Sequence, residues 1–197
     1  KDSKAPVGSL IGIYPIQGKG VVNGSSHKKL LAIGNLKQPV HAWGEIYTGI
    51  SAKDYMDGTS NFYGVHSVTL YVDSVQVFNS TTDKVLPDEN RMINGFTDYE
   101  ELTRTRRLIM RSYKLPGNRL RLLHTNENRG AVTINEERDY HFRYVLEDNF
   151  GNRRTYQFIV KGKRQDIPEY KPEANEMLYW NRTNVIQKPG MELVVPR

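Results

Sequence analysis

Apolar and polar residues alternate along several short segments of this chain, and this alternation predicts β-strands. In residues 140–147 the side chains of Tyr140, Phe142, Tyr144 and Leu146 fall on one face, because strand side chains alternate with a period of two. Other segments with such alternation or with a short apolar run are residues 10–16, 30–33, 40–52, 68–72, 75–77, 120–124, 131–134 and 156–160. Turn residues separate these segments at short intervals. The pattern predicts an all-β fold, a β-sandwich.

One segment has helical spacing instead. Apolar side chains recur every three or four residues between residues 98 and 111, Asp98 suits the N-cap position, and Glu101 is placed to complete a capping box. Acidic residues at the start and arginines at the end also suit the helix dipole. We therefore predict one short helix over residues 98–111, inserted at an end or edge of the sandwich.

The strand pattern ends near residue 162. Residues 163–172 are polar and contain two prolines, as expected of a linker. Residues 178–195 resemble the start of another β unit that is too short to form its own core. We predict a sandwich over residues 1–162, followed by a linker and a partial second β module over residues 163–197.

The composition is typical of a globular chain. With 197 residues, of which 38% are hydrophobic, the chain can fill an ordinary core. No apolar run approaches the roughly 20 residues that cross a bilayer, so we expect no membrane span. The N-terminal segment has no signal-peptide pattern, so the signal of an exported parent would already have been removed. The absence of cysteine excludes disulfides and thiolate metal ligands.

The net charge of +6 comes from one local run of cations. Residues 104–121 contain seven Lys or Arg residues and no acid, so the rest of the chain sums to −1. Five of these residues, which we call the basic cluster, are the predicted binding surface: Arg107, Arg111, Lys114, Arg119 and Arg121. On a strand, Arg119 and Arg121 would project to the same face, away from the neighbouring leucines. The competing interpretation is a solvated helix face without a partner.

A cationic surface of this kind attracts nucleic acid, anionic lipid or an acidic polymer. Tyr113 could stack on a base, but the chain lacks the aromatic strands or the groove-reading helix of nucleic-acid binders. We therefore predict no nucleic-acid partner. An anionic polymer of the cell envelope, or an acidic neighbouring domain, is the predicted partner of the basic cluster.

The motif search predicts no enzyme activity, no metal and no cofactor in this segment. The five histidines are scattered without metal-ligand spacing, and the chain has no G-x-S-x-G, no P-loop and no cysteine nucleophile. The loops over residues 54–61 and 148–152 supply oxygen ligands of the kind that Ca²⁺ uses. However, Asp, Asn and Gly are also ordinary turn residues, and no EF-hand spacing is present.

A series of short motifs resembles the module that follows the catalytic domain in lysostaphin-type zinc endopeptidases of the Bacteroidetes type. In chain order the first motifs are Ala5-Pro6, Ile11-Gly12-Ile13-Tyr14-Pro15, Gly44-Glu45-Ile46, Ala52-Lys53-Asp54 and Gly64-Val65-His66-Ser67-Val68-Thr69-Leu70-Tyr71-Val72-Asp73. The later ones are Arg91, Asp98-Tyr99, Leu115-Pro116-Gly117-Asn118, Asn128-Arg129-Gly130 and Glu147-Asp148-Asn149-Phe150-Gly151-Asn152. The resemblance covers about four fifths of the chain, residues 5–162.

The resemblance implies an immunoglobulin-like β-sandwich that serves as an accessory region of an exported cell-envelope peptidase. Such enzymes cleave peptide cross-links of peptidoglycan with a zinc held by H-x-x-x-D and H-x-H motifs, and this chain has neither motif. Zinc would therefore belong to the parent's catalytic domain, and this segment would be non-catalytic. The implied location is the periplasm or the cell surface, and the implied partners are peptidoglycan or the adjacent peptidase domain.

A second functional class remains open beside that resemblance. A glycan-binding or protein-interaction sandwich of a cell-surface protein would present aromatic platforms. Trp43, Trp180 and several of the 12 tyrosines could serve as such platforms, although aromatic residues in strands more often belong to a core.

Overall fold

A computed structural model describes residues 2–58, 61–82 and 94–170, together with the backbone of residues 184–188 and 191–195. The predicted all-β class is confirmed: strands make up 52% of the chain, and the main sheet is curled into a half-barrel. Two residues used in the sequence analysis, Arg91 and Trp180, lie outside the described residues. No helix in the described ranges is long and apolar enough to cross a membrane.

Eleven strands belong to the main sheet, and a separate hairpin follows near the end of the chain. The strands of the main sheet are β1 (Val7–Val22), β2 (Lys29–Ala32), β3 (Val40–Tyr55), β4 (Phe62–Tyr63), β5 (Ser67–Val72), β6 (Val75–Thr81), β7 (Met110–Arg111), β8 (Leu123–Thr125), β9 (Val132–Ile134), β10 (Asp139–Glu147) and β11 (Arg153–Gly162). The hairpin consists of β12 (Asn184–Lys188) and β13 (Met191–Val195), in the region where the sequence predicts a further β unit.

The main sheet runs in the order β2-β1-β3-β11-β10-β5-β6-β8. Its longest pairing joins β1 to β3, both of 16 residues. Along its other edge, β3 pairs in turn with β11, β9, β7 and β4. The β3 strand is therefore the element to which most of the chain's short segments attach.

The strand parity predicted from the sequence places the core correctly. Tyr140, Phe142, Tyr144 and Leu146 are all buried, and the aligned residues of β5 and β11 face the same core. Such alternation is expected where one face of a sheet packs inward and the other meets solvent. The predicted hairpin at Asp73-Ser74 also forms, and both residues have the positive φ that a tight turn of this kind requires.

The predicted helix is only half as long as expected. The helix α1 (Tyr99–Thr105) ends at Arg106, which adopts a left-handed conformation with φ of 62°. The residues that follow leave the helix because Ile109 is fully buried and β7 pairs with Gly49 and Ile50 of β3. Sheet pairing and burial here override the local helical spacing, so the predicted range of residues 98–111 is wrong beyond residue 105.

The predicted cap of this helix is confirmed only in part. The Asp98 carboxylate accepts a hydrogen bond from the backbone N–H of Glu101, as an N-cap should. The reciprocal bond of a capping box does not form, because the Asp98 N–H donates to the carbonyl of Ile109. The Glu101 side chain instead accepts hydrogen bonds from Arg104 and Thr105.

Candidate binding groove

A buried carboxylate, Asp98, organises the region between β1, β2 and α1. Its Oδ2 atom accepts hydrogen bonds from the Tyr14 hydroxyl and from the Lys28 ammonium, each at 2.9 Å. Its Oδ1 atom accepts the N–H of Glu101 at 3.1 Å and lies 3.8 Å from the Arg111 guanidinium. The Asp98 side chain is only 1% exposed, so this charge is stabilised by protein groups instead of by water.

The contacts of Asp98 determine its charge state. Burial opposes ionisation, but hydrogen bonds from Lys28, the Glu101 N–H and Tyr14 outweigh it and lower the pKa of Asp98. Burial and the adjacent Asp98 charge raise the pKa of the Tyr14 hydroxyl. The carboxylate therefore stays ionised and the phenol stays protonated at neutral pH.

Three tyrosine rings stack beside this network. Tyr14 and Tyr47 are 4.8 Å apart between ring centroids and nearly parallel, and Tyr47 and Tyr113 are 4.6 Å apart. Tyr14 and Tyr47 meet because they are directly opposite in the antiparallel pair of β1 and β3, which places both side chains on one face. Tyr14 is buried, whereas Tyr47 and Tyr113 are partly exposed. We call the three residues the tyrosine stack.

Hydrogen bonds of the preceding residue, Ser112, fix the backbone next to Tyr113. The Ser112 N–H donates to the carbonyl of Thr48, and the Ser112 hydroxyl lies 2.7 Å from the hydroxyl of Tyr144. The Tyr144 hydroxyl, which is fully buried, is also 2.7 Å from the hydroxyl of Thr48. These hydrogen bonds therefore fix the backbone that carries Tyr113, the ring at the outer end of the tyrosine stack.

A groove of about 600 Å³ opens over the tyrosine stack. One wall comes from a bulge in β1, where the pairing jumps from Pro15–Ile46 to Gly20–Gly44 and residues 16–19 bulge out. The remaining lining residues are Ile16, Gln17, Ser26, His27, Lys28, Glu100, Leu115, Pro116 and Tyr170. Apolar ring surface thus lies next to hydroxyl, ammonium and carboxylate groups, a combination that suits a ligand with both apolar and polar faces.

The structure separates the five residues of the basic cluster into two groups. Arg111 and Lys114 are partly buried: Arg111 lies beside Asp98, and the Lys114 ammonium donates to the carbonyl of Leu120. Arg107, Arg119 and Arg121 are exposed. The expectation that Arg119 and Arg121 lie on one strand is wrong, because β8 begins at Leu123 and both arginines precede it in irregular structure.

The cationic run over residues 104–121 also has acidic neighbours in the fold, although the run itself contains no acidic residue. Arg104 pairs with Glu101 at 2.8 Å, and Arg111 approaches Asp98, so acids just upstream of the run neutralise part of its charge. These two acids are close together because Asp98 caps the helix and Glu101 lies in its first turn. Three residues just after Arg111 line the groove, namely Tyr113, Leu115 and Pro116, so the predicted surface and the groove are adjacent along the chain.

A second groove of about 630 Å³ lies over the outward faces of β10 and β11. Its lining includes Lys37, Arg143 and Lys161 together with His141, and none of its lining residues is acidic. Arg143 packs over the ring of Tyr71, with the guanidinium carbon 4.2 Å from the ring centroid. This groove contains none of the residues of the basic cluster.

The sequence indicates Tyr113 as a possible stacking residue, but it does not reveal that Tyr14, Tyr47 and Tyr113 stack together or that Lys28 pairs with Asp98 beside them. Tyr14 and Tyr47 each sit on a predicted strand, but only the pairing register of β1 and β3 reveals that they face each other. The groove contains no group of three metal ligands in the described part of the chain.

A scan of protein-family models and searches of curated proteins and of solved structures gave no match to this chain.

Proposed function

We propose that this chain is a non-catalytic accessory module of an exported cell-envelope metallopeptidase that acts on peptidoglycan, and that it binds the cell wall through the tyrosine groove and thereby positions the peptidase. The proposed location is the periplasm or the cell surface. The supporting observation is the groove itself, in which the tyrosine stack lies beside Lys28 and Glu100. Peptidoglycan offers sugar faces for ring contact together with amide and carboxylate groups for polar contact.

The groove has the features expected of a binding site for such a polymer. Glu100 is 77% exposed at its side chain and can accept hydrogen bonds from ligand amides or hydroxyls. The Tyr47 and Tyr113 rings are stiff and partly exposed, so ligand binding would immobilise few side-chain rotations. The site is an open groove and not a closed cavity, which also suits a long polymer as ligand.

We further propose that the curled sheet is a variant of the immunoglobulin-like sandwich. The supporting observation is a single core shared by residues of β1, β3, β5, β10 and β11, as expected where two halves of a β structure face each other. An experimental structure would test this proposal. Two separate sheets packed face to face would support it, and a closed or open barrel without such packing would contradict it.

The binding proposal predicts that Tyr113→Ala weakens retention of the chain on purified peptidoglycan sacculi. Truncation of a central aromatic contact typically costs about 2 kcal/mol, which corresponds to roughly 30-fold in affinity. Tyr113→Phe should retain most binding if the ring face makes the contact. The measurement is a sedimentation binding curve with intact sacculi.

The matched control for this experiment is Tyr99→Ala, because Tyr99 is an exposed tyrosine, 59% accessible, that does not line the groove. It should bind as the unchanged chain does. Failure of the unchanged chain to sediment with sacculi would contradict the proposed function. Equal losses in the Tyr99 and Tyr113 variants would show that the groove is not the binding surface.

The basic cluster predicts a weaker, salt-dependent contribution. Changing Arg119 and Arg121 together to Glu should reduce sacculus binding without unfolding the chain, because both side chains are exposed. Each exposed ion pair contributes about 0.2–1 kcal/mol, so we expect a loss of about 2- to 30-fold that shrinks at high salt. Unchanged binding with an unchanged melting temperature would exclude this surface.

The alternative function is a glycan-binding or protein-interaction module of a cell-surface protein. The same tyrosine stack favours its glycan-binding form, since ring faces bind sugars irrespective of the stem peptides of peptidoglycan. Soluble glycan chains freed of stem peptides distinguish the two functions. Equal affinity for these glycans and for intact muropeptides supports the alternative, whereas a need for the peptide supports the peptidase-linked function.

A further inference from the structure

Three aspartates from distant parts of the sequence converge in the interior. Asp2 comes from the N-terminal segment, Asp54 from the end of β3 and Asp148 from the turn between β10 and β11. One carboxylate oxygen of each lies within 4.8 Å of the corresponding oxygens of the other two. The three residues are 6%, 6% and 1% exposed. We call them the aspartate triad.

Two oxygens of the triad are buried without a hydrogen-bond partner, namely Asp2 Oδ2 and Asp54 Oδ1. The other oxygen of Asp2 and both oxygens of Asp148 accept hydrogen bonds. Asp2 Oδ1 accepts the N–H groups of Lys4 and Asp57, and Asp148 Oδ1 accepts those of Phe150 and Asn152. Backbone donors thus fix the two carboxylates, while unpaired oxygens remain in the interior.

Such an arrangement is unfavourable without a compensating positive charge. Like-charged carboxylates repel each other strongly when they are removed from water, and an unpaired buried charge costs several kcal/mol. In the described part of the chain, no Lys or Arg forms an ion pair with any member of the triad.

We propose that the aspartate triad binds a divalent cation, Ca²⁺. Two oxygens bound to one Ca²⁺ lie at most about 5 Å apart, twice the usual metal–oxygen distance of about 2.3–2.6 Å, and the triad meets this condition. All ligand atoms are carboxylate oxygens, which suit a hard cation, whereas the usual zinc sites contain His or Cys ligands. Mg²⁺ retains several waters, so a site this buried favours Ca²⁺.

The sequence predicts no metal in this segment, and a calcium site at the aspartate triad departs from that prediction. The two oxygen-rich loops over residues 54–61 and 148–152 do supply Asp54 and Asp148, but the group of three carboxylates also requires Asp2. A bound ion would tie the N-terminal segment to the end of β3 and to the β10–β11 turn. The Asn152 amide already joins two of these segments, because it donates to the Asp2 carbonyl and to the Asp148 carboxylate. The site is separate from the tyrosine groove and does not depend on its function.

Calorimetric titration of the complete chain, stripped with EDTA, with CaCl₂ and in parallel with MgCl₂ tests the proposal. We expect one Ca²⁺ per chain, weaker binding of Mg²⁺, and a melting temperature that rises by about 5–10 °C when Ca²⁺ reaches about 100 times its Kd. Asp54→Asn should weaken Ca²⁺ binding by at least about tenfold. In EDTA the same variant should melt at or above the temperature of the unchanged chain, because it removes one of the repelling charges.

Asp139→Asn is the matched control, since Asp139 is exposed and lies outside the triad. It should leave Ca²⁺ binding unchanged. Asp2→Asn provides a second test in case Asp54→Asn fails to fold, because Asp2 lies outside every strand and should still be needed for binding. The proposal is wrong if millimolar Ca²⁺ gives neither heat nor a melting shift with the folded, unchanged chain. It is also wrong if both triad variants bind Ca²⁺ as the unchanged chain does.

Discussion

Gly44→Ala is expected to destabilise the fold by about 3–5 kcal/mol and to abolish the tyrosine groove with it. Gly44 has a φ of +78°, a conformation that costs an alanine about 1–2 kcal/mol. A Cβ at this position would also collide with the carbonyl oxygen of Lys19 across the β1–β3 pair. Because that oxygen belongs to the backbone, it cannot rotate away.

The position of Gly44 in the sheet explains why Gly44→Ala should also change the tyrosine groove. Gly44 pairs with Gly20 at the point where the β1 bulge rejoins the sheet, and the bulge carries Ile16 and Gln17 into the groove wall. Displacing the two backbones there would also disturb the Tyr14–Tyr47 pair two positions earlier in the ladder. Urea denaturation followed by circular dichroism measures the loss.

Gly34→Ala is the matched control for this prediction. A Cβ at Gly34 would meet no atom within 4 Å, and its φ is not in the positive range. We expect a change of less than about 0.5 kcal/mol. If Gly44→Ala were as mild as this control, the tight crossing of β1 and β3 would not hold in solution.

The contrast between predicted and observed features follows from the range of the interactions involved. Strand parity at Tyr140 to Leu146 was predictable because it reflects one strand against one core. The Asp73-Ser74 turn was predictable because its chemistry is local. The end of α1 was not, because it depends on the burial of Ile109 and on pairing with β3, which is about 60 residues distant in sequence.

The two sites show the same limit. The sequence supplies tyrosines on strands and aspartates in loops, and both are common where no site exists. Tyr14 belongs to a candidate site only because the strand register places it opposite Tyr47. Asp54 belongs to one only because the fold brings it close to Asp2 and Asp148. Register and loop convergence are properties of the whole sheet, so short motifs could not reveal them.

Asp98→Asn is expected to destabilise the chain by about 3 kcal/mol at pH 7, because it removes the charge that Lys28, Tyr14 and Arg111 surround. Asparagine is itself a good N-cap residue, so the loss should report the buried charge and not the helix start. Glu100→Gln is the matched control, since Glu100 contacts the same lysine at 3.2 Å but is exposed. That variant should lose less than about 1 kcal/mol.

The pH dependence gives the sharper test of the Asp98 network. The folded state lowers the pKa of Asp98 below its unfolded value of about 3.9, so the unfolded chain takes up the proton first as the pH falls. The stabilisation by Asp98 is therefore complete above about pH 5 and disappears as the pH falls through the folded pKa. Urea denaturation at pH 7, 5, 4 and 3 should show a constant gap between the unchanged chain and Asp98→Asn down to pH 5, and a shrinking gap below pH 4. A gap that stays constant to pH 3 would mean that the Asp98 charge does not stabilise the fold.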